Sequence, residues 1–162
     1  MGEPFYVDGL RFGCTRCSAC CGGEPGYVFL SKDDLRRLLD RFKLDFGEFF
    51  REYCRLVDTG LGMAISLAEK PNYDCTFLGE GGCSVYDARP VQCSTYPFWA
   101  GVLESPQTWQ SEASYCPGIG KGELVGRDLI ERRLSERKTA GTILLAYGAD
   151  PETLSADKVL GS

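Results

Sequence analysis

The chain has 162 residues, 43% hydrophobic and 25% charged, a balance that fits one globular domain rather than a disordered segment. Eighteen Lys and Arg against 23 Asp and Glu give −5 at pH 7, which excludes the basic footprint of a nucleic-acid binder and argues against an anionic membrane surface. Histidine is absent, so Ser-His-Asp and Cys-His catalysis and every His-containing zinc site are excluded, and nine cysteines stand out instead.

Residues 1–30 are rich in Gly and Cys and weakly periodic, which predicts a loop wrapped around its cysteines. The opening Met1-Gly2-Glu3-Pro4-Phe5-Tyr6 has neither the basic nor the apolar part of a leader, and Val159-Leu160-Gly161-Ser162 carries no lipidation signal. With no apolar run long enough to span a bilayer, the expectation is a cytoplasmic chain. Thiols stay reduced there, so a dense cysteine set points to metal or redox work rather than to disulfides.

Ser31-Lys32-Asp33-Asp34 has the form of a helix cap, and Leu35, Leu38, Leu39 and Phe42 follow at helical spacing. A second helix is expected after Asp45, with Phe46, Phe49, Phe50, Tyr53, Cys54 and Val57 as its apolar stripe and Thr59-Gly60 as its end. Residues 63–68 and 73–78 read as short strands around Lys70-Pro71-Asn72. From Gly79 to Gly122 the chain is irregular and too poor in periodic apolar residues to order itself, so something else must hold it.

A long helix is expected from about Glu123, with Leu124, Leu129, Ile130 and Leu134 on one face, continuing through Ile143-Leu144-Leu145-Ala146 to Gly148. Asp150-Pro151-Glu152 then opens a final short turn. The predicted architecture is one α+β domain over residues 1–162, its helices packed around a loop-rich cysteine core with a short β-hairpin. Within it, residues 10–120 form the metal-binding region and 121–162 a helical C-terminal extension.

The first cysteine cluster is Cys14-Thr15-Arg16-Cys17-Ser18-Ala19-Cys20-Cys21, followed by Gly22-Gly23. Two-residue gaps let a tight turn aim successive sulfurs at one ion or cluster, and the glycines supply conformational freedom beside it. Backbone N–H groups in such a turn can donate to bound sulfur. Side chains of adjacent residues diverge, so Cys20 and Cys21 argue for more than one metal, a bridging thiolate, or a division between two sites.

Cys75, Cys83, Cys93 and Cys116 are dispersed and fit no zinc-finger or zinc-ribbon spacing, yet the last three lie in the poorly ordered region and Cys75 just before it. Together these eight cysteines are enough for two four-thiolate sites. Cys54 lies in an apolar stripe and is expected to be an inert core residue. Chance burial would account for Cys75 or Cys83 singly but not for Cys-x-x-Cys-x-x-Cys-Cys.

All-thiolate ligation suits zinc or an iron–sulfur cluster, with copper(I) possible. The Cys-x-x-Cys-x-x-Cys spacing and the distant Cys116-Pro117 match a four-iron cluster, whereas the vicinal pair is foreign to simple ferredoxins and suits bridged zinc; spacing leaves the metal open.

Between Cys83 and Cys93, Pro90 is placed for the first turn of a short helix that carries Cys93. Arg89 can reach Asp87, backbone carbonyls or cluster sulfur, which makes it a cofactor-binding candidate beside a plain loop-tying role. Tyr86, Tyr96, Phe98 and Trp99 are expected to wall the site from water.

At these residues the chain resembles the YkgJ-type cysteine-cluster family, a zinc- or iron-chelating domain. The matching pieces are Phe12-x-Cys14-x-x-Cys17-x-x-Cys20-Cys21, Cys75-x-Phe77-Leu78, Cys83-x-x-Tyr86-x-x-Arg89-Pro90-x-x-Cys93-x-x-Tyr96-Pro97-Phe98 and Cys116-Pro117-Gly118. The family usually has Gly between the second and third clustered cysteines, where this chain has Ser18-Ala19. The resemblance covers roughly residues 10–120 and implies metal chelation by Cys14, Cys17, Cys20, Cys21, Cys75, Cys83, Cys93 and Cys116 without a stated reaction. A related cluster in flagellin lysine methylases is tied to iron–sulfur chemistry, which shifts the balance modestly that way.

Three functions are then ranked. First comes a protein whose metal is structural and whose fold presents a surface to a protein partner. Second is an iron–sulfur electron carrier or accessory subunit. Third is an enzyme with an open metal position, for which Asp74, Glu80, Asp87 and Tyr86 are the nearby acid–base groups; without His nothing pairs them well.

Overall fold

A computed structural model describes residues 2–161; Met1 and Ser162, which belong to the leader and terminal-signal readings above, lie outside the described residues. The elements in chain order are β1 (Leu10–Phe12), α1 (Lys32–Phe42), α2 (Phe46–Tyr53), β2 (Cys54–Asp58), β3 (Met63–Leu67), β4 (Leu78–Gly79), β5 (Gly82–Cys83) and α3 (Val91–Thr95). They are followed by α4 (Pro106–Glu112), β6 (Ile119–Val125), α5 (Arg127–Ala140), β7 (Leu144–Leu145) and α6 (Ala156–Leu160). Single 3-10 turns lie at Ala19–Cys21, Tyr86–Ala88 and Pro151–Thr153. Helices beside small antiparallel sheets make this the α+β fold that the sequence predicts. Among the described residues no helix is long and apolar enough to cross a membrane.

The backbone divides into two compact units, one formed by the residues up to Cys20 with Thr95–Thr139, the other by Cys21–Ser94 with the residues from Ala140 on. In the first unit β1 runs antiparallel to β6, pairing Leu10 with Val125 and Arg11 with Leu124 before the register slips so that Phe12 faces Ile119. Gly120 and Gly122 take up the slack in β6 at φ +80° and +77°, a region that side-chain-bearing residues avoid. Phe98, Val102, Leu103, Trp109, Ile119 and Ile130 form the core of this unit. Phe98 stacks on Trp109 at 5.7 Å between centroids and meets the edge of Phe12 at 5.5 Å. α4 is started by a Ser105–Thr108 capping box with Pro106 at its first position.

In the second unit β3 is the central strand, paired over five residues with β2 (Cys54 opposite Leu67 through Asp58 opposite Met63) and at one end with β7. Leu30, Leu35, Leu38, Phe46, Phe49 and Ile65 are fully buried on it. The first two helices of this unit start where the sequence predicts: Ser31 and Asp34 exchange bonds in a capping box on α1, and Asp45 and Glu48 do so on α2. Ser31→Ala is expected to cost about 1 kcal/mol, the usual worth of such a cap, read as a lower urea midpoint at unchanged slope.

Five expectations are corrected. The second helix stops at Tyr53, and Cys54–Asp58 is strand, because the segment finds ladder partners on Met63–Leu67 while still burying Cys54. Residues 143–146 do not continue a helix: α5 ends before Gly141 at φ +70°, and Leu144–Leu145 joins β3. Glu123 and Leu124 belong to β6, so α5 begins only at Arg127. In the N-terminal loop, Leu10–Phe12 is a strand whose partner lies more than a hundred residues away, a pairing that local periodicity cannot reveal. Nor do residues 63–68 and 73–78 pair around Lys70-Pro71-Asn72: Met63–Leu67 is taken by β2 and β7, and residues 73–77 are turn with a single bridge between Glu69 and Cys75. The short hairpin is instead β4–β5, with Leu78 opposite Cys83.

Candidate metal centre

In the first unit, Cys14, Cys17 and Cys20 lie exposed on the loop that leaves β1. The start of this loop is docked on the turn after α4: Gly13 N–H donates to Gly118 O at 3.1 Å. The approach is so close that a Cβ on Gly118 would stand 2.1 Å from Gly13 O, which only glycine tolerates. Cys116 sits at the end of that helix, its N–H donating to Glu112 O at 3.0 Å. Between the clustered cysteines, Arg16 (φ 55°) and Ser18 (φ 64°) hold left-handed backbone although neither is glycine.

Burial pushes the Cys116 thiol up, and the charges of Cys17 and Cys20 beside it push further in the same direction. Tyr96 lies on the same side: its hydroxyl donates to Glu112 Oε1 at 2.5 Å, and its phenol is driven up by burial first, then by Glu112, with Cys116 and Cys20 adding to the repulsion. Trp99 covers Tyr96 edge-on at 4.9 Å. Cys17, Cys20 and Cys116 are therefore electrostatic neighbours beside Tyr96, but Cys17 and Cys20 stay exposed. Phe98 packs on Trp109 in the core and Tyr86 lies against Arg89, so the aromatic wall expected of Tyr86, Tyr96, Phe98 and Trp99 does not close over them.

In the second unit, Cys21 O accepts from Cys75 N–H at 2.7 Å. The glycines after Cys21 lie against Asp74: Gly23 N–H donates to Asp74 Oδ1 at 3.2 Å, and a Cβ on Gly22 would fall 2.1 Å from the same oxygen. Asn72 holds that carboxylate from its other side. Cys75 bridges Glu69 across the turn, and Cys83 lies on β5 opposite Leu78. Burial pushes the Cys75 thiol up, with the charge of Cys83 contributing the same way.

Cys93 is carried by α3, which is held at two points. Val91 N–H donates to Asp34 Oδ1 at 2.9 Å. The Gln92 amide clamps the segment before α1, accepting from Phe29 N–H at 3.1 Å and donating to Tyr27 O at 2.6 Å. Asp34 has no exposed surface; it also accepts from Ser31 N–H at 2.9 Å and pairs with Arg37 at 2.7 Å. Sequence reasoning read Asp34 only as part of a cap and passed over Gln92. For Asp34 the signal was present in its type and position, but its second partner is 57 residues away.

Arg89 lies in the loop before α3, its Nε donating to Tyr86 O at 2.8 Å and its guanidinium 3.8 Å from the Tyr86 ring centre. Asp87 takes both oxygens to Arg41, which also donates to Ser84 O. These contacts tie the Cys83–Cys93 loop to α1, and Asp74 is engaged by Gly23 and Asn72; no acid–base pair emerges from them.

Cys54 stands apart, packed in the core of the second unit with its thiol pushed up to about 12 by burial. Cys54→Ser should leave metal content unchanged and cost about 1–3 kcal/mol for the hydroxyl placed in apolar surroundings, measured by urea unfolding. In the native chain its thiol should be the last to react with an alkylating agent at neutral pH.

Among the described residues no three His, Cys, Asp or Glu side chains stand ready as a group around one ion. None of the nine cysteines is in a disulfide, and a site built from the eight outside the core would present thiols. That donor set fits zinc or an iron–sulfur cluster and suits hard, oxygen-loving cations poorly.

Comparison with known proteins agrees with this chemistry. The uncharacterized protein MJ0661 of Methanocaldococcus jannaschii is 25% identical over 123 residues, which cover 73% of this chain and 63% of that protein. The chain thus spans less than two thirds of that relative's length. No solved structure matches. Residues 13–117 match the family described as "CxxCxxCC: Putative zinc- or iron-chelating domain", a stretch that takes in both docked loops and all eight cysteines outside the core. The chain belongs to this CxxCxxCC family of zinc- or iron-chelating domains.

Proposed function

We propose that the chain is a metal-binding protein in which Cys14, Cys17, Cys20, Cys21, Cys75, Cys83, Cys93 and Cys116 hold thiolate-bound zinc or iron–sulfur, and in which the metal maintains the fold. The observation that carries this is the backbone between the clustered cysteines. Arg16 and Ser18 are both left-handed on an exposed loop without a buried apolar residue of its own. Each such residue costs on the order of 1 kcal/mol and persists only where its surroundings impose it. Sulfurs drawn to a common metal would be that imposition, because two-residue intervals let a turn aim successive thiolates at one ion.

When bound, zinc would supply cross-linking between loops and an iron–sulfur cluster would supply an electron carrier as well. The exposure of Cys14, Cys17 and Cys20 favours the electron-carrier role as the second reading, because a cluster held there lies within reach of a partner. Either role places the chain in a reducing compartment such as the cytoplasm, working with a protein partner rather than with nucleic acid or a membrane. The test is metal content and visible absorption of protein purified without oxygen. Iron with matching sulfide and a broad absorption establishes the cluster; colourless protein with zinc establishes the structural ion. Protein with neither metal and all thiols reactive rejects the proposal.

A further inference from the structure

The pair Cys20-Cys21 lies at the junction of two differently anchored loop segments. Upstream, the loop carrying Cys14, Cys17 and Cys20 is pinned to the Cys116-Pro117-Gly118 turn through the Gly13–Gly118 bond. Downstream, Cys21-Gly22-Gly23 is pinned to Asp74-Cys75 through the Cys21–Cys75 and Gly23–Asp74 bonds. A Cβ on Gly118 would stand 2.1 Å from the main-chain oxygen of Gly13 and is excluded, while one on Gly22 would stand 2.1 Å from the side-chain oxygen and 3.1 Å from the Cα of Asp74 and would displace that carboxylate. Neither segment can therefore shift toward the other's partner without losing its anchor.

The cysteine count on each side is the second observation. The first unit contains Cys14, Cys17, Cys20 and Cys116, and the second contains Cys21, Cys75, Cys83 and Cys93 beside the core residue Cys54. Four thiolates complete a tetrahedral zinc site or cap the four irons of a cubane cluster. Adjacent side chains diverge, so the one peptide bond between Cys20 and Cys21 sends its two sulfurs to different places.

Resting on the metal-binding reading, we infer that the chain builds two separate four-thiolate centres, Cys14–Cys17–Cys20–Cys116 and Cys21–Cys75–Cys83–Cys93, with the vicinal pair divided between them. Asp74 is a positioning residue for the second centre, because it fixes the backbone next to Cys21 rather than offering a ligand.

The experiment is metal release followed by thiol mapping on the native chain. Metal is drawn out stepwise with a chelator under reducing conditions, released thiols are alkylated, and each modified cysteine is identified by mass spectrometry. The expected result is two equivalents of the same centre per chain and two groups of four cysteines that become reactive together. Two glycine variants, which remove no ligand, sharpen the test. Gly118→Ala should halve the metal by freeing Cys14, Cys17, Cys20 and Cys116, and Gly22→Ala should halve it by freeing Cys21, Cys75, Cys83 and Cys93. A single centre per chain, one release curve for all eight, or a group that mixes Cys14 with Cys75 overturns the division while leaving metal binding in place. A native chain without metal overturns the binding reading and the division with it.

Discussion

Chelating the metal under reducing conditions is expected to unfold the first unit outright. Structural thiolate sites contribute about 10–16 kcal/mol of apparent binding free energy. A small domain has only about 5–15 kcal/mol of net stability to lose. The core of the first unit is six buried residues, Phe98, Val102, Leu103, Trp109, Ile119 and Ile130, while its cysteine loop is exposed and strained at Arg16 and Ser18. Little remains to keep that loop folded once its sulfurs repel one another.

The second unit differs, because Leu30, Leu35, Leu38, Phe46, Phe49 and Ile65 are fully buried around a three-stranded sheet. Hydrogen exchange after chelation should therefore show the amides of Ile119–Val125 losing protection, with those of Cys54–Asp58 and Met63–Leu67 keeping it. Cys17→Ser should act in the same direction and lose metal together with the order of the first unit. Unchanged thermal stability and unchanged exchange in metal-free protein would show that the metal does not maintain the fold.

Much of this was legible in the residues, because the features concerned are local. Capping boxes at Ser31 and Asp45, the helix start after Pro90 and the Asp150-Pro151 turn all depend on residues within one turn of each other. The family was legible for a different reason: Cys-x-x-Cys-x-x-Cys-Cys is the motif by which the family is described. What stayed hidden depends on distant partners. Cys54–Asp58 carries apolar residues that serve a helix stripe or a strand equally, and only pairing with Met63–Leu67 decides between them. Leu144–Leu145 follows a helical segment in sequence, yet it is claimed by β3. The anchors of the cysteine loops were equally hidden: nothing near Gly13 announces Gly118, and nothing near Gly22 announces Asp74.

Asp34→Ala is expected to be the most damaging change outside the cysteines. Arg37, its charged partner, is half exposed and can return to water, so that ion pair contributes at most about 1 kcal/mol. The serious loss is in the backbone. Ser31 N–H and Val91 N–H both donate to this fully buried carboxylate, and each loses that acceptor at a cost of about 1–3 kcal/mol. The total, about 2–6 kcal/mol, is a large share of the stability of a small domain. The two bonds also do different jobs, since one starts α1 and the other seats the first turn of α3, which carries Cys93. Asp34→Asn keeps an acceptor oxygen and should cost roughly half as much. Arg37→Ala should cost less than about 1 kcal/mol. If Asp34 acts on the metal through α3, Asp34→Asn should release Cys93 to alkylation at denaturant concentrations where the sheet of Cys54–Asp58 and Met63–Leu67 is still intact. Loss of metal and loss of the sheet at one and the same denaturant concentration would mean that Asp34 supports the fold alone and has no separate hold on Cys93.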